Sequence, residues 1–303
     1  MTGARDSAVG HAGGKVILLG EHAVVHGSPA IAIGLADKTS VSARFAKGPT
    51  ALAVAPWGLR ARADGDEPAD TALRALLDAL GAPRDGLCLD GTTVLPARAG
   101  LGASASIAAA SARAVAKLLG RDPSAAQLHD AVQASERAFH GTPSGVDAAA
   151  VLGEGVMCFT RAEGARRLEV PAPALVIVHT GAPGDTGVTV AAFAARLLAD
   201  PAEGARRLAL VRGIVERGVY ALCRHDQPAL GRLMDENQEQ LAWFGVSTAA
   251  LDRACAEARA AGALGAKLTG GGGGGCALAL VLPEDRARVA DRLSAAGFAL
   301  VPA

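Results

Sequence analysis

Residues 270–275 are six consecutive glycines, set between 266–269 and the apolar run 276–282. A glycine run ordinarily marks a flexible linker. Here apolar sequence on both sides places it inside a domain, where a linker is a poor fit. The better reading is a tight loop whose main chain closes on a ligand, because only glycine permits so near an approach.

The rest of the chain has to supply a core around that loop. At 303 residues it is long enough for two domains or one large one. Half of the residues are hydrophobic but only 3% are aromatic, so the core is built from Ala, Leu and Val. Thirty basic residues balance thirty acidic ones. No basic stripe points to nucleic acid, and no basic amphipathic segment points to a membrane surface. Residues 1–12 lack a signal-peptide apolar run, and the apolar runs elsewhere are strand-length or broken by Gly and charge. Cys88, Cys158, Cys223, Cys255 and Cys276 form no C-x-x-C pair, which fits reduced core residues of a cytoplasmic protein.

Periodicity and punctuation divide the chain further. Strands are expected at 15–19, 30–33, 41–45, 87–95, 156–159, 175–178 and 276–282. Leu73, Leu76, Leu77 and Leu80 predict a helix over 67–81, stopped by Gly81. Alanine-rich 104–119 and the following 124–139 read as helices, as do 189–199, 202–223, 249–261 and 284–295. The polar stretch 160–173 ends in Pro-Ala-Pro, and the domain boundary is placed there, giving domains 1–172 and 173–303.

Three segments carry chemistry. In 95–106 a strand enters, Gly100 and Gly102 turn the chain, and a strong helix leaves. Unpaired amides at a helix start, with the helix dipole, suit a polyphosphate. Ser104 there either caps the helix or ligates Mg²⁺. No Walker A pattern occurs, and G-x-G-x-x-G is met only within the glycine run itself. In 136–147, Glu136 ends a helix and Asp147 opens an apolar stretch. Near a phosphate, two such carboxylates divide into a Mg²⁺ ligand and a group that orients or deprotonates a hydroxyl. Read without a ligand, Asp147 caps a helix and Glu136 is solvated. The third segment is the glycine run. At the N-terminus, His22 and His26 have no third ligand nearby, which argues against metal. Lys15, on a buried strand, needs a carboxylate partner, and Asp147 is a candidate.

Together, GKVILLGEHAVVHG (14–27), PARAGLGASAS (96–106), HGTPSGVD (140–147) and KLTGGGGGGC (267–276) resemble the four ordered motifs of the GHMP kinases, in their mevalonate kinase form. The resemblance implies an α+β fold of two domains. The N-terminal domain is expected to be like domain 2 of ribosomal protein S5, and the C-terminal one ferredoxin-like. It implies ATP and Mg²⁺ as cofactors and a small alcohol, mevalonate, as substrate.

By motif position, Asp147 matches the catalytic aspartate and Lys15 the lysine beside it. Ser104 and Glu136 match the metal ligands. Gly100, Leu101, Gly102, Ala103, Ser104, Ala105 and Ser106, with Gly271, Gly272 and Gly273, match the nucleotide loops. Glu21, His22 and Thr186 match residues near the substrate. Four positions depart from the family pattern: Arg98 stands for a loop Gly, Ala103 for the first loop Ser, Ala148 for Asn and Gly187 for Lys or Arg. The last two lie near the substrate. They leave phosphomevalonate, a sugar or the 3-hydroxyl of mevalonate as alternative acceptors, and a catalytically silent binding homologue as the remaining class. A homodimer is left open.

Overall fold

The computed structural model describes residues 6–140 and 143–302; Gly141 and Thr142, in the 140–147 motif, lie outside them. The chain divides into two compact units. The first comprises Met1–Gly14, Gly34–Ala97 and Gly102–Glu154, and the second Lys15–Ile33, Arg98–Leu101 and Gly155–Ala303.

Strand β1 (Ser7–Leu19), whose residues to Gly14 belong to the first unit and whose remainder belongs to the second, starts eight residues before the strand expected at 15–19. Strand β2 (Ala30–Pro49) joins the segments expected at 30–33 and 41–45 into one 20-residue strand. Exposed Ala36 and Asp37 interrupt its apolar pattern without ending it. Four-residue strands β3 (Ala51–Val54) and β4 (Leu59–Arg62) are too short to show a period in the sequence. With β5 (Asp85–Thr93) they give the order β4-β3-β5-β2, β3 lying parallel to β5.

Helix α1 (Pro68–Ala79) opens on a capping box between Glu67 and Asp70 and buries Leu73, Leu76 and Leu77. Helix α2 (Ala103–Leu118) is buried on nearly every side. Its alanines pack closely against Leu87, Leu89, Val41 and Val132, which is how a core with so few aromatic residues closes. Helices α3 (Ala125–His140) and α4 (Val146–Leu152) pack on α2.

The second unit contains a hairpin of β6 (Gly155–Thr160) and β7 (Gly164–Arg167), the latter inside the stretch read as a boundary. Strands β8 (Leu175–His179), β9 (Gly265–Thr269), β10 (Cys276–Leu280) and β11 (Ala299–Val301) form an antiparallel sheet in the order β11-β8-β10-β9. Thr269 stands opposite Cys276, so the glycine run is the loop of the β9–β10 hairpin and not a linker.

The helices of this unit are α5 (Thr186–Ala199), α6 (Pro201–Cys223), α7 (Gln227–Trp243), α8 (Ala249–Ala260) and α9 (Arg286–Ala295). Helix α7 has no counterpart among the expected helices. It buries Asn237, Gln238 and Gln240 beside Leu230, Leu233 and Leu241, so its buried face is part polar and shows no clean apolar stripe.

All five cysteines are free thiols. Cys255 and Cys276 are core residues, Cys88 and Cys158 are half-buried, and Cys223 is exposed, so the expected core placement holds for two of them. No helix among the described residues is long and apolar enough to cross a membrane.

Candidate functional site

The chain leaves β1 through a turn whose consecutive residues are each tied to another element. Gly20 has φ 98°, and its amide donates to Asn237 Oδ1 on α7 at 2.9 Å. The Glu21 carboxylate accepts from Lys267 Nζ on β9. His22 adopts φ 58°, a left-handed conformation costly for a residue with a Cβ. Its Nε2 bonds to the carbonyl of Gly271 at 2.9 Å, and its ring stacks on Phe193 of α5, centroids 5.1 Å apart. Upstream, the Thr269 hydroxyl accepts from the Ile17 amide at 2.9 Å and donates to the Ile17 carbonyl at 3.2 Å.

Lys15, Glu21 and Lys267 are buried at 2%, 1% and 0% exposure. Desolvation of this order is tolerated only with charge partners. Lys267 Nζ also donates to the Leu268 carbonyl at 2.6 Å. Burial raises the pKa of Glu21, and the neighbouring Lys267 charge, with a smaller contribution from Lys15, opposes that rise. Burial likewise lowers the pKa of Lys267, and Glu21 opposes it. Sequence reasoning asked for a partner for Lys15 and not for Lys267. The same signal, a lysine in an apolar strand, was present at 267. Its partner proves to be Glu21, 246 residues away.

Residues 98–101 pack main chain to main chain on the glycine run. A Cβ on Gly100 would stand 2.4 Å from the carbonyl oxygen of Thr269, and one on Gly270 would stand 2.5 Å from the Gly100 Cα. Neither position has room for a side chain. Arg98, the departure from the family's glycine, keeps φ 56°. The strain of a side chain there, about 1–2 kcal/mol, is offset by local bonds. The Arg98 carbonyl accepts from the Gly184 amide at 2.8 Å, and its guanidinium reaches Asp185 at 3.1 Å. The loop therefore retains the left-handed turn despite the substitution.

Asp185 caps α5, accepting from the Val188 amide at 3.1 Å; that bond, and then Arg98, hold its carboxyl below the usual range. Thr186 begins the helix beside Gly271: a Cβ there would lie 3.0 Å from its hydroxyl oxygen. His22, Gly271 and Thr186 thus converge from three elements. Gly272 and Gly273 follow in the same loop, with φ 72° and 69°.

Ser104, Ser106, Glu136 and Asp147 belong to the first unit. Gly102, at φ 68°, is the N-cap of α2 and has no side-chain cap to offer. The first intrahelical bond is from the Ser106 amide to the Gly102 carbonyl at 2.8 Å, so the amides of Ala103, Ser104 and Ala105 are those the helix leaves for an anion. Leu101 and Ala105 are buried. The Ser106 hydroxyl is buried too, bonded at 2.7 Å to Thr39, whose hydroxyl also meets Thr93.

Glu136 is 1% exposed, which removes its reading as a solvated helix residue. Asp147 is half-buried in the first turn of α4, inside the helix and not at its cap position, where the dipole favours a carboxylate. Among the described residues no group of three or more His, Cys, Asp and Glu could hold a metal by itself. Ser104 and Glu136 nonetheless supply a hydroxyl and a carboxylate from packed helices α2 and α3. Those are the hard oxygen donors Mg²⁺ takes alongside phosphate and water.

Comparison with known proteins bears on this geometry. The GHMP kinases N terminal domain matches residues 68–155, and GHMP kinases C terminal matches 219–299. A mevalonate kinase of Thermococcus onnurineus is 33% identical, the match covering 93% of this chain and 91% of that protein. One of Methanothermobacter thermautotrophicus is 32% identical over 88% and 87%. The crystal structure of L. major mevalonate kinase in complex with R-mevalonate superposes with a TM-score of 0.81 at 30% identity, covering 97% of this chain and 92% of that one. A Lactococcus lactis galactokinase reaches 0.79 at 18% identity, covering 98% and 93%, a likeness of fold alone. With both halves of the family matched in order and relatives above 30% identity along nearly its whole length, this chain belongs to the GHMP kinase superfamily, has its two-domain α+β fold, and within it is similar to the mevalonate kinases.

Proposed function

We propose that this protein transfers the γ-phosphoryl group of ATP to the primary hydroxyl of mevalonate, giving 5-phosphomevalonate. The observation that carries the reading is the main-chain packing of Gly100 on Thr269 and Gly270, beside His22 and Thr186. Two glycine loops in contact give a surface of backbone amides that suits a polyphosphate, and the polar pair next to it suits a small polar alcohol. Identity above 30% to mevalonate kinases supports the choice of alcohol.

In this mechanism the amides at the start of α2 hold the phosphates. Ser104 and Glu136 would hold Mg²⁺, which when bound neutralises phosphate charge. Asp147 orients the acceptor hydroxyl and takes its proton as the oxygen attacks phosphorus. Lys15 offsets charge gathering on the transferred group. Transfer is direct, with no covalent enzyme intermediate. His22 and Thr186 face the acceptor.

A coupled ADP-release assay with mevalonate, phosphomevalonate, galactose and homoserine tests the reading. Turnover confined to mevalonate is expected; turnover of none of the four would favour a silent binding homologue.

A further inference from the structure

Helices α6 and α7 face each other across a groove of about 280 Å³, lined by none of the residues assigned above to phosphoryl transfer. Helix α6 presents Arg217, Tyr220 and Arg224 to it, at spacings of three and four residues, so all three share one helix face. Helix α7 presents Arg232 and Glu236, four residues apart. Between these polar stripes the lining is apolar, from buried Ala221 and Leu233.

Charge in this groove is unevenly matched. Arg217 Nη2 joins Glu236 Oε2 at 2.7 Å, which ties the two helices together. The Asp226 carboxylate caps α7, accepting from the Ala229 amide at 2.9 Å. Among the described residues, Arg224 and Arg232 have no carboxylate partner and donate no hydrogen bond. Arg224 lies 5.7 Å from the centre of the Tyr220 ring, and Tyr220 is left 65% exposed. One surface arginine is satisfied by water. Two of them, from different helices, line the same concavity beside an open aromatic ring. A planar guanidinium matches the oxygens of a phosphate group with paired N–H donors. The walls are also held in place. A Cβ on Gly218 of α6 would stand 2.3 Å from Leu19 of β1, so that helix packs closely there. On α7, Asn237 and Gln238 hold the amides of Gly20 and Leu268. Walls fixed in this way lose little freedom when a ligand binds.

We propose that the α6–α7 groove is a second anion site, which takes a small phosphorylated compound. Its phosphate oxygens accept from Arg224 and Arg232, and the Tyr220 ring covers the stem next to the phosphate. Pockets for drug-sized ligands run from about 300 to 1,000 Å³. The groove falls just below that range, so it suits a phosphate or diphosphate on a short stem and not a nucleotide.

Tyr220 is the single tyrosine of the chain, so labelling with 3-fluorotyrosine gives one fluorine NMR resonance, and it reports this groove. The probe is inorganic diphosphate, titrated in magnesium-free buffer. Sodium chloride at matched ionic strength controls for screening, and malonate is the dicarboxylate comparison. Diphosphate should give a saturable shift and bind more tightly than malonate. Arg224→Ala with Arg232→Ala should weaken Kd at least about tenfold, the worth of one charge-assisted hydrogen bond, with Tm by circular dichroism unchanged. Each single substitution should give part of that loss, which keeps the test open if the double variant fails to fold. A shift no larger than that made by sodium chloride would overturn the site. So would an undiminished affinity in the arginine variants, which would place the diphosphate elsewhere. Binding of malonate as tight as that of diphosphate would overturn the assignment to phosphorylated ligands.

Discussion

Single side chains decide the chemistry, and three can be tested one at a time. Asp147→Asn keeps the shape at the start of α4 and removes the proton acceptor; kcat should fall at least about a hundredfold, with KM for ATP little changed. Steady-state kinetics with ADP detection measures both. The buried pair of Glu21 and Lys267 sets a second expectation. Lys267→Met leaves the carboxylate buried beside the Lys15 charge alone and should destabilise the protein by about 3–5 kcal/mol, while Glu21→Gln with Lys267→Met should recover much of that loss. Urea denaturation of the wild type and the two variants reads the difference.

The third expectation concerns pH. Burial, with the charges of His26 and Lys267, lowers the pKa of His22 to about 4 from its ordinary 6.5, against the opposing pull of the Gly271 carbonyl. Above 6.5 the folded and unfolded chains are both neutral at this ring. Between 6.5 and 4 the unfolded chain takes up a proton that the folded chain refuses, so the stability tied to the neutral ring is lost as pH falls through that window. His22→Asn should therefore show a shallower decline of Tm between pH 6.5 and 4 than the wild type does.

At the scale of elements, the site depends on how closely main chains approach. Gly100→Ala would force a methyl group to 2.4 Å from a carbonyl oxygen in a residue held at φ 79°, which no rotamer relieves. The expected outcome is a KM for ATP raised at least about tenfold, or a chain that fails to fold; circular dichroism separates the two. Gly27→Ala, also at positive φ but with open space around it, bears the backbone strain alone and should have a much smaller effect. Helix α7 belongs to the same scale. Its Asn237 and Gln238 side chains accept from the amides of Gly20 and Leu268, so a helix read as no element at all anchors both the first-motif turn and the strand that leads into the glycine run.

For the whole molecule, the substrate is the open quantity, because one fold serves different acceptors. Similar TM-scores reach a mevalonate kinase, a galactokinase and a phosphomevalonate kinase. Choice among them must come from side chains. Gly187 stands where a cation is common in the family, and a phosphorylated acceptor would call for extra positive charge. The kcat/KM for mevalonate should accordingly exceed that for phosphomevalonate at saturating Mg²⁺ and ATP. A higher value for phosphomevalonate would reassign the acceptor and leave phosphoryl transfer itself untouched.

The sequence by itself determined the motif residues and most of the long elements. Local signals suffice there: alanine content for α2, leucine spacing for α1, and a glycine run that only a close main-chain approach explains. It also determined that Lys15 and Asp147 need partners or ligands, since a charge beside apolar sequence cannot stand alone. Tertiary structure decided what local pattern does not encode. Short strands β3, β4 and β11 exist through pairing with distant neighbours, and α7 through polar side chains buried against other elements' amides. The partner of Glu21, the donor direction of the His22 ring and the support given by Phe193 all join residues more than 150 positions apart. No spacing rule reaches that far, because each contact is fixed by where β1, α5, β9 and the glycine run meet in space.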